Sequence, residues 1–209
     1  MFDDEKVSAV DTCHSGGAIG ADTLFEKTSA LYGVKVRAYS YNNSMHKSPN
    51  KVEITEEEFE EGMHHVREAN KSLKRNLSNM PKEVLGLLAR NWAQVKHSDQ
   101  VFAVSSIVNP NEKDHRGLPS KCKKQSVVGG TGWACQMCID NGKELYVYDQ
   151  NVGGWFKWSY ISDSFVRLKS VPKITSANFA GIGTRRLNDR GTNAIIELYT
   201  NTFNGNGKQ

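Results

Sequence analysis

No apolar run in this sequence reaches the ~20 residues that a membrane-crossing helix needs, so no membrane partner is expected. The opening residues Met1-Phe2-Asp3-Asp4-Glu5 are acidic and lack the basic, apolar and small-residue succession of a secretory signal, which points to a cytoplasmic location. Cysteine is scarce. Cys13, Cys122, Cys135 and Cys138 are too few, in a reducing compartment, to be read as a disulfide framework. Cys135 and Cys138 form a CxxC pair, but they fall within an expected helix and lack two further ligands at zinc spacing. They read as small buried residues, and no metal is expected. His64 and His65 are neighbours whose side chains diverge, so they read as surface histidines rather than as a ligand pair. Excess charge of one sign is also small. The formal net charge is +4, which tolerates an anionic ligand but does not by itself argue for nucleic acid. The basic clusters at 71–75 and 121–124 read as solvated faces. No Gly-Lys-Ser/Thr follows any glycine cluster, and no GxGxxG is present, which argues against an ordinary NTPase or dehydrogenase.

What is present is the alternation of an α/β domain, and 209 residues suit one such domain spanning 1–209. A strand is expected over 7–13, a helix to Tyr32 with Leu24, Phe25, Thr28 and Leu31 at helical spacing, then a C-cap at Gly33 and a strand over 34–39. After a polar loop (42–51), Thr55 and Glu58 form a capping-box pair opening a helix to about Arg75. Pro81 starts another, with Val84, Leu85, Leu88, Trp92 and Val95 as its core stripe. A buried strand (100–105) precedes a long polar stretch without periodicity, read as a flexible loop or flap over 106–126. A helix (133–140) and a strand (144–149) follow. Residues 151–171, rich in aromatics, read as an appended β-hairpin turning at Asp163. The last strand (174–180) and helix (to 203, with Ala194, Ile195, Leu198 and Tyr199 buried) leave a tail at 204–209 that is expected to be disordered.

Three glycine clusters stand where a strand gives way to a helix: 16–22, 129–132 and 181–185. A turn without side chains lets backbone N–H groups approach an anion, and the helix beyond adds unpaired donors and the positive end of its dipole. In a parallel sheet such turns gather at the carboxyl ends of the strands, where ligands bind. A phosphate-bearing ligand is therefore expected there.

The residues that carry these turns also carry a resemblance. Ser15-Gly16-Gly17-Ala18-Ile19-Gly20-Ala21-Asp22, Ala89-Arg90-Asn91, Gly129-Gly130-Thr131-Gly132 and Ala180-Gly181-Ile182-Gly183-Thr184-Arg185 resemble the motifs of the SLOG superfamily. That group includes LOG phosphoribohydrolases, DprA-type DNA-binding proteins and ADP-ribose-sensing domains; the closest likeness is to small bacteriophage-encoded members. The resemblance implies a Rossmann-like, mainly parallel sheet flanked by helices. It also implies a circular permutation, because the GIGTR unit comes last here and first in those proteins. By the same resemblance the ligand-binding set is Ser15, Gly16, Gly17, Gly20, Asp22, Arg90, Asn91, Gly129, Gly130, Thr131, Gly132, Gly181, Gly183, Thr184 and Arg185. The ligand is an ADP-ribose-like or cyclic nucleotide signal, a natural role is sequestration of a host immune signal, and pairing into a homo-oligomer is implied. No cofactor is implied. In LOG enzymes a glutamate follows the second glycine motif; Gln136 stands at that position here, and an amide cannot serve as its general base. Binding is thus expected over cleavage, and no catalytic residue is assigned. Two alternatives remain: nucleotide N-glycosidic hydrolysis with Asp22 or another acid acting, and DprA-like single-stranded DNA binding through the basic clusters and Trp155, Phe156 and Trp158. A small hydrophobic core or dimer contact explains those aromatics as well.

Overall fold

The computed structural model describes residues 10–43, 46–113, 117 and 119–204. Gln100–Ser105 (β4), the strand read as buried, is buried along its whole length and lies centrally in the sheet. A strand covered on both faces needs apolar side chains on both, which this run supplies. Thr12–Ser15 (β1), Lys35–Ser40 (β2) and Lys51–Glu53 (β3) extend the sheet on one side, and Glu144–Asp149 (β7), Gly154–Ser159 (β8) and Ser164–Arg167 (β9) on the other. Asn178–Gly183 (β10), the last strand in the chain, sits between β1 and β4 and is parallel to both. The sheet order is β3-β2-β1-β10-β4-β7-β8-β9. Its first six strands are parallel; β8 and β9 are antiparallel.

Helices cover both faces. Because successive side chains of a strand point to opposite sides, Val101 and Ala103 of β4 enter one core and Phe102 and Val104 the other. The first core is closed by Glu56–Leu73 (α2), Lys82–Lys96 (α3) and Thr131–Asp140 (α4), the second by Ala21–Leu31 (α1) and Asp189–Phe203 (α5). In the second core Tyr199 packs among Phe25, Phe179 and Phe203, and its hydroxyl meets Ser29 Oγ at 2.6 Å. Each such aromatic removes enough apolar surface from water to contribute ~1.5–3 kcal/mol. The capping box of α2 forms as expected: Thr55 Oγ1 accepts from Glu58 N–H, and the Glu58 carboxylate accepts from Thr55 N–H.

Several sequence expectations need correction. Among the described residues the first strand runs from Thr12 to Ser15 and leaves out Val10 and Asp11; residues 7–9 of the expected strand lie outside the described residues, as do 205–209 of the expected tail. Pro81 is the N-cap of α3, not a residue of its first turn, and Val84 is exposed because the core face of α3 runs through Leu88, Trp92 and Val95. The 106–126 segment, read without secondary structure, starts and finishes in a two-stranded antiparallel ribbon, Ile107–Val108 (β5) with Ser126–Val127 (β6). The hairpin is not an appendage: β8 pairs with β7 and continues the main sheet. Trp155 enters the second core and Trp158 the first, each about 4% exposed, so neither offers a face to a nucleic-acid base. All four cysteines are buried and free.

Candidate functional site

The parallel strands β1, β10, β4 and β7 end on the same edge of the sheet, and a cleft of about 580 Å³ opens over the ends of β10, β4 and β7. Nine of the expected residues line it. Asp22, Arg90 and Asn91 form one wall, Gly129, Gly130 and Thr131 a second, and Gly183, Thr184 and Arg185 a third. One residue from the first turn of α1, two from the middle of α3 and two glycine loops therefore meet around one space, although 161 residues separate Asp22 from Gly183.

The second wall is the one open to a ligand. α4 begins at Thr131 with Gly130 as its N-cap, and no side chain caps it. The N–H groups of Gly132 and Trp133 turn back to the Gly129 and Gly130 carbonyls, at 3.2 and 3.1 Å, while those of Gly129, Gly130 and Thr131 meet no acceptor among the described residues and border the cleft with the positive end of the helix dipole. Gly129 adopts φ +68°, a conformation that favours glycine. Gly130 does not need to be glycine for either reason. Its φ is −61°, and a Cβ there would meet only Leu88 Cδ2, at 4.0 Å. The remainder of the loop is held rigidly, since Arg75 donates to the carbonyls of Gly129 (2.7 Å) and Val127 (2.6 Å) and its guanidinium lies over the Trp133 ring.

The first wall is a buried polar cluster. Asp22 Oδ1 accepts the Gly183 N–H at 2.9 Å, and Oδ2 lies 3.7 Å from Arg90 Nη2. Arg90 in turn donates to Gln94 Oε1, its i+4 neighbour on α3, at 2.9 Å. Burial pushes the Asp22 carboxyl up to about 6, with Arg90 and the Gly183 N–H only partly opposing it. Burial likewise holds Arg90 below its ordinary value, against the pull of Asp22. Asp22 does not cap α1, whose N-cap Gly20 receives no side-chain bond. It stitches the first glycine turn to the third. Among the described residues Asp22 is the only acid lining the cleft, against Arg90, Arg185 and Arg186, so the described lining carries more positive charge than negative.

The third wall differs from the sequence expectation. The Gly183 turn does not lead directly into a helix; five residues intervene, and α5 is already capped by Asn188, which accepts from Gly191 N–H at 2.9 Å. Its dipole is therefore answered from within. What this wall presents is Thr184 and the exposed arginines 185 and 186.

Six expected residues lie behind the lining. Ser15 donates to Glu26 at 2.8 Å. Gly16 lies flat against Arg90, where a Cβ would come within 1.4 Å of Nη1, and Gly17 lies against the His46 ring. Gly20 and Gly181 accommodate Thr184 O and the Phe25 ring, and Gly132 accommodates Val127 O. These residues shape the site by close packing. Gln136 also stands outside the lining: it bonds Asp140 at 2.8 Å on the outer side of α4. The chemistry of the cleft accordingly turns on Asp22 rather than on position 136. Sequence reading missed Gln94, Ser105, Gln150, Asn151, Arg186 and Asn188. Gln150 was within reach of it, since the residue after a parallel strand belongs to this edge; it accepts from Asn188 N–H and donates to Arg186 O.

Compared with protein-family models, with curated proteins and with solved structures, the chain matches none of them. Among the described residues no group of acidic, histidine or cysteine side chains is arranged to hold a metal ion, and no helix is long and apolar enough to cross a membrane.

Proposed function

We propose that this protein binds a phosphate-bearing, nucleotide-like ligand in the cleft between α3, α4 and the Gly183–Arg186 turn, and holds it without cleaving it. The observation that carries the reading is the uncapped N-terminus of α4 behind Gly129 and Gly130, with Arg185 and Arg186 across the same cleft. Bare backbone donors, a helix dipole and guanidinium groups converging on one space suit a phosphate. Gly130 adds to this, because neither its conformation nor its packing calls for glycine, whereas close approach by a ligand does. The polar residues around the remainder of the cleft suit a sugar-bearing ligand of the ADP-ribose or cyclic nucleotide kind.

The same arrangement supports a permuted SLOG-type domain. β10 occupies the slot between β1 and β4, and α5 packs beside α1, with Phe203 stacking on Tyr32 near the start of β2. The last βα unit thus ends close to where the first strand begins, as a permutation requires. Turnover would rest on Asp22, which is already engaged by Gly183 N–H and Arg90. Binding is the reading that needs no rearrangement.

Calorimetric titration with ADP-ribose, ribose 5-phosphate and cyclic nucleotides, followed by chromatography of the mixtures, tests it. Stoichiometric binding with unaltered ligand is expected. Multiple turnovers would replace binding by catalysis, and absence of heat with all of them, in ligand-free protein, would remove the reading.

A further inference from the structure

Behind the Gly129–Gly130 ridge lies a second cavity of about 520 Å³, on the side away from Asp22. It shares Val84, Leu88, Val128, Gly129 and Gly130 with the first, so the two compartments meet across bare glycine backbone. Each lies within the ~300–1,000 Å³ that accommodates a small organic ligand. Together they exceed what one mononucleotide fills.

The compartments differ in chemistry. The first is walled by amides and hydroxyls, among them Asn91, Gln94, Ser105, Gln150 and Asn151. The second is floored by Leu73, Met80, Val108 and Trp133, rimmed by Lys74 and Lys121, and no acid is among its described lining residues. A hydroxyl-rich group suits the first, and a flat, weakly polar ring suits the second. Among the described residues the two compartments share, Gly129 and Gly130 are the ones whose backbone N–H groups meet no acceptor.

We propose that the second cavity receives the planar base of a nucleoside diphosphate sugar, whose pyrophosphate crosses Gly129 and Gly130 and whose sugar end occupies the first. This rests on the phosphate reading given above and goes further in assigning two ends and a direction. The β5–β6 ribbon gains a role as the roof of the base compartment, since Val108 and Ser126 line it.

Two groups report on the second cavity alone: Trp133 and Cys122 line it and not the first. Iodoacetamide labelling of Cys122, followed by mass spectrometry, is to be compared for free protein and for protein saturated with ribose 5-phosphate, AMP or ADP-ribose. Cys13, Cys135 and Cys138 are buried with thiols pushed well up, and serve as unlabelled controls. ADP-ribose and AMP are expected to slow Cys122 labelling about tenfold or more, and ribose 5-phosphate less than twofold. Should Cys122 label slowly in the free protein, ligand-induced change in Trp133 emission, assigned by its loss in Trp133→Phe, gives the same comparison. ADP-ribose is also expected to bind at least about tenfold tighter than ribose 5-phosphate. Binding of both sugars with equal affinity, or with no effect of ADP-ribose on either reporter, would overturn the two-compartment assignment and leave the phosphate site standing. Failure of every probe to bind would remove both.

Discussion

Asp22 allows a sharp test of how the site is built, because burial and partnership act on it in opposite directions. Its carboxyl is about 4% exposed, accepts one backbone N–H and faces Arg90 at 3.7 Å. If partnership dominated, its pKa would fall; burial prevails, and it rises from 3.8 to about 6. A carboxyl whose folded pKa lies above its unfolded one contributes stability that is fully present below pH ~4 and is lost as pH rises through about 6. At 1.36 kcal/mol per unit, the rise amounts to ~3 kcal/mol across that window. Asp22→Asn keeps an acceptor for Gly183 N–H but cannot ionise. Its amide hydrogens then face the Arg90 donors, at a cost of about 1–3 kcal/mol at any pH. The variant should therefore be less stable than wild type by about 1–3 kcal/mol near pH 4, and equal to it or up to ~2 kcal/mol more stable near pH 7. Urea unfolding of both proteins at pH 4, 5, 6 and 7 measures this, because the difference between them cancels every other titrating group. The gap should shift by ~3 kcal/mol in favour of the variant, mostly between pH 4 and 6. A gap that stays constant over that range would mean that Arg90 and Gly183 match or outweigh desolvation, and the description of the cluster would be wrong.

Gly130 and Gly132, which follow the Val127 and Gly129 carbonyls that Arg75 holds, should separate fold from binding. Gly132→Ala brings a Cβ within 2.0 Å of Val127 O, backbone that cannot swing aside, and should lower stability by ~3 kcal/mol or more in chemical denaturation. Gly130→Ala points into open space and should change stability by less than ~1 kcal/mol, yet weaken ADP-ribose binding about tenfold in calorimetry; unchanged affinity would refute the backbone-donor account. Native protein at pH 8 should show no more than one thiol reacting rapidly with a chromogenic disulfide, because burial holds Cys13 and Cys135 at about 12 and Cys138 higher still; four fast thiols would contradict the buried CxxC. Trp158→Ala should cost ~3–5 kcal/mol as a large-to-small core change, and wild-type protein should give no salt-sensitive shift of single-stranded DNA. A shift abolished by a Trp155 or Trp158 substitution in folded protein would reinstate a stacking surface.

The features legible in the sequence were those whose cause is local. The capping box at Thr55 and Glu58, the all-buried run 100–105, and the stripe Ala194, Ile195, Leu198 and Tyr199 each follow from spacing within a few residues, and each stands where it was read. The glycine clusters were legible as turns for the same reason. Their partners had no local sign, because these depend on strand order; it was the order of the motifs, through the resemblance, that put the Gly181–Arg185 turn beside Gly16–Asp22, where it stands. Asp22 meets Gly183 only because β10 inserts between β1 and β4, and a sequence gives no local sign of which strand fills a given slot. Trp155 and Trp158 were open to misreading for a related reason. An isolated hairpin must expose one face, whereas a hairpin continuing a sheet covered on both sides buries side chains from either face. Gln136 shows the limit of motif arithmetic. It stands at the right distance from Gly129–Gly132, yet its side chain bonds Asp140, and the substitution that was to decide between holding and cutting a ligand lies outside the cleft lining. The weight of that decision moves to Asp22, whose oxygens are both engaged by Gly183 and Arg90. A carboxyl in that position is better placed to hold the first and third turns together around a ligand than to attack one.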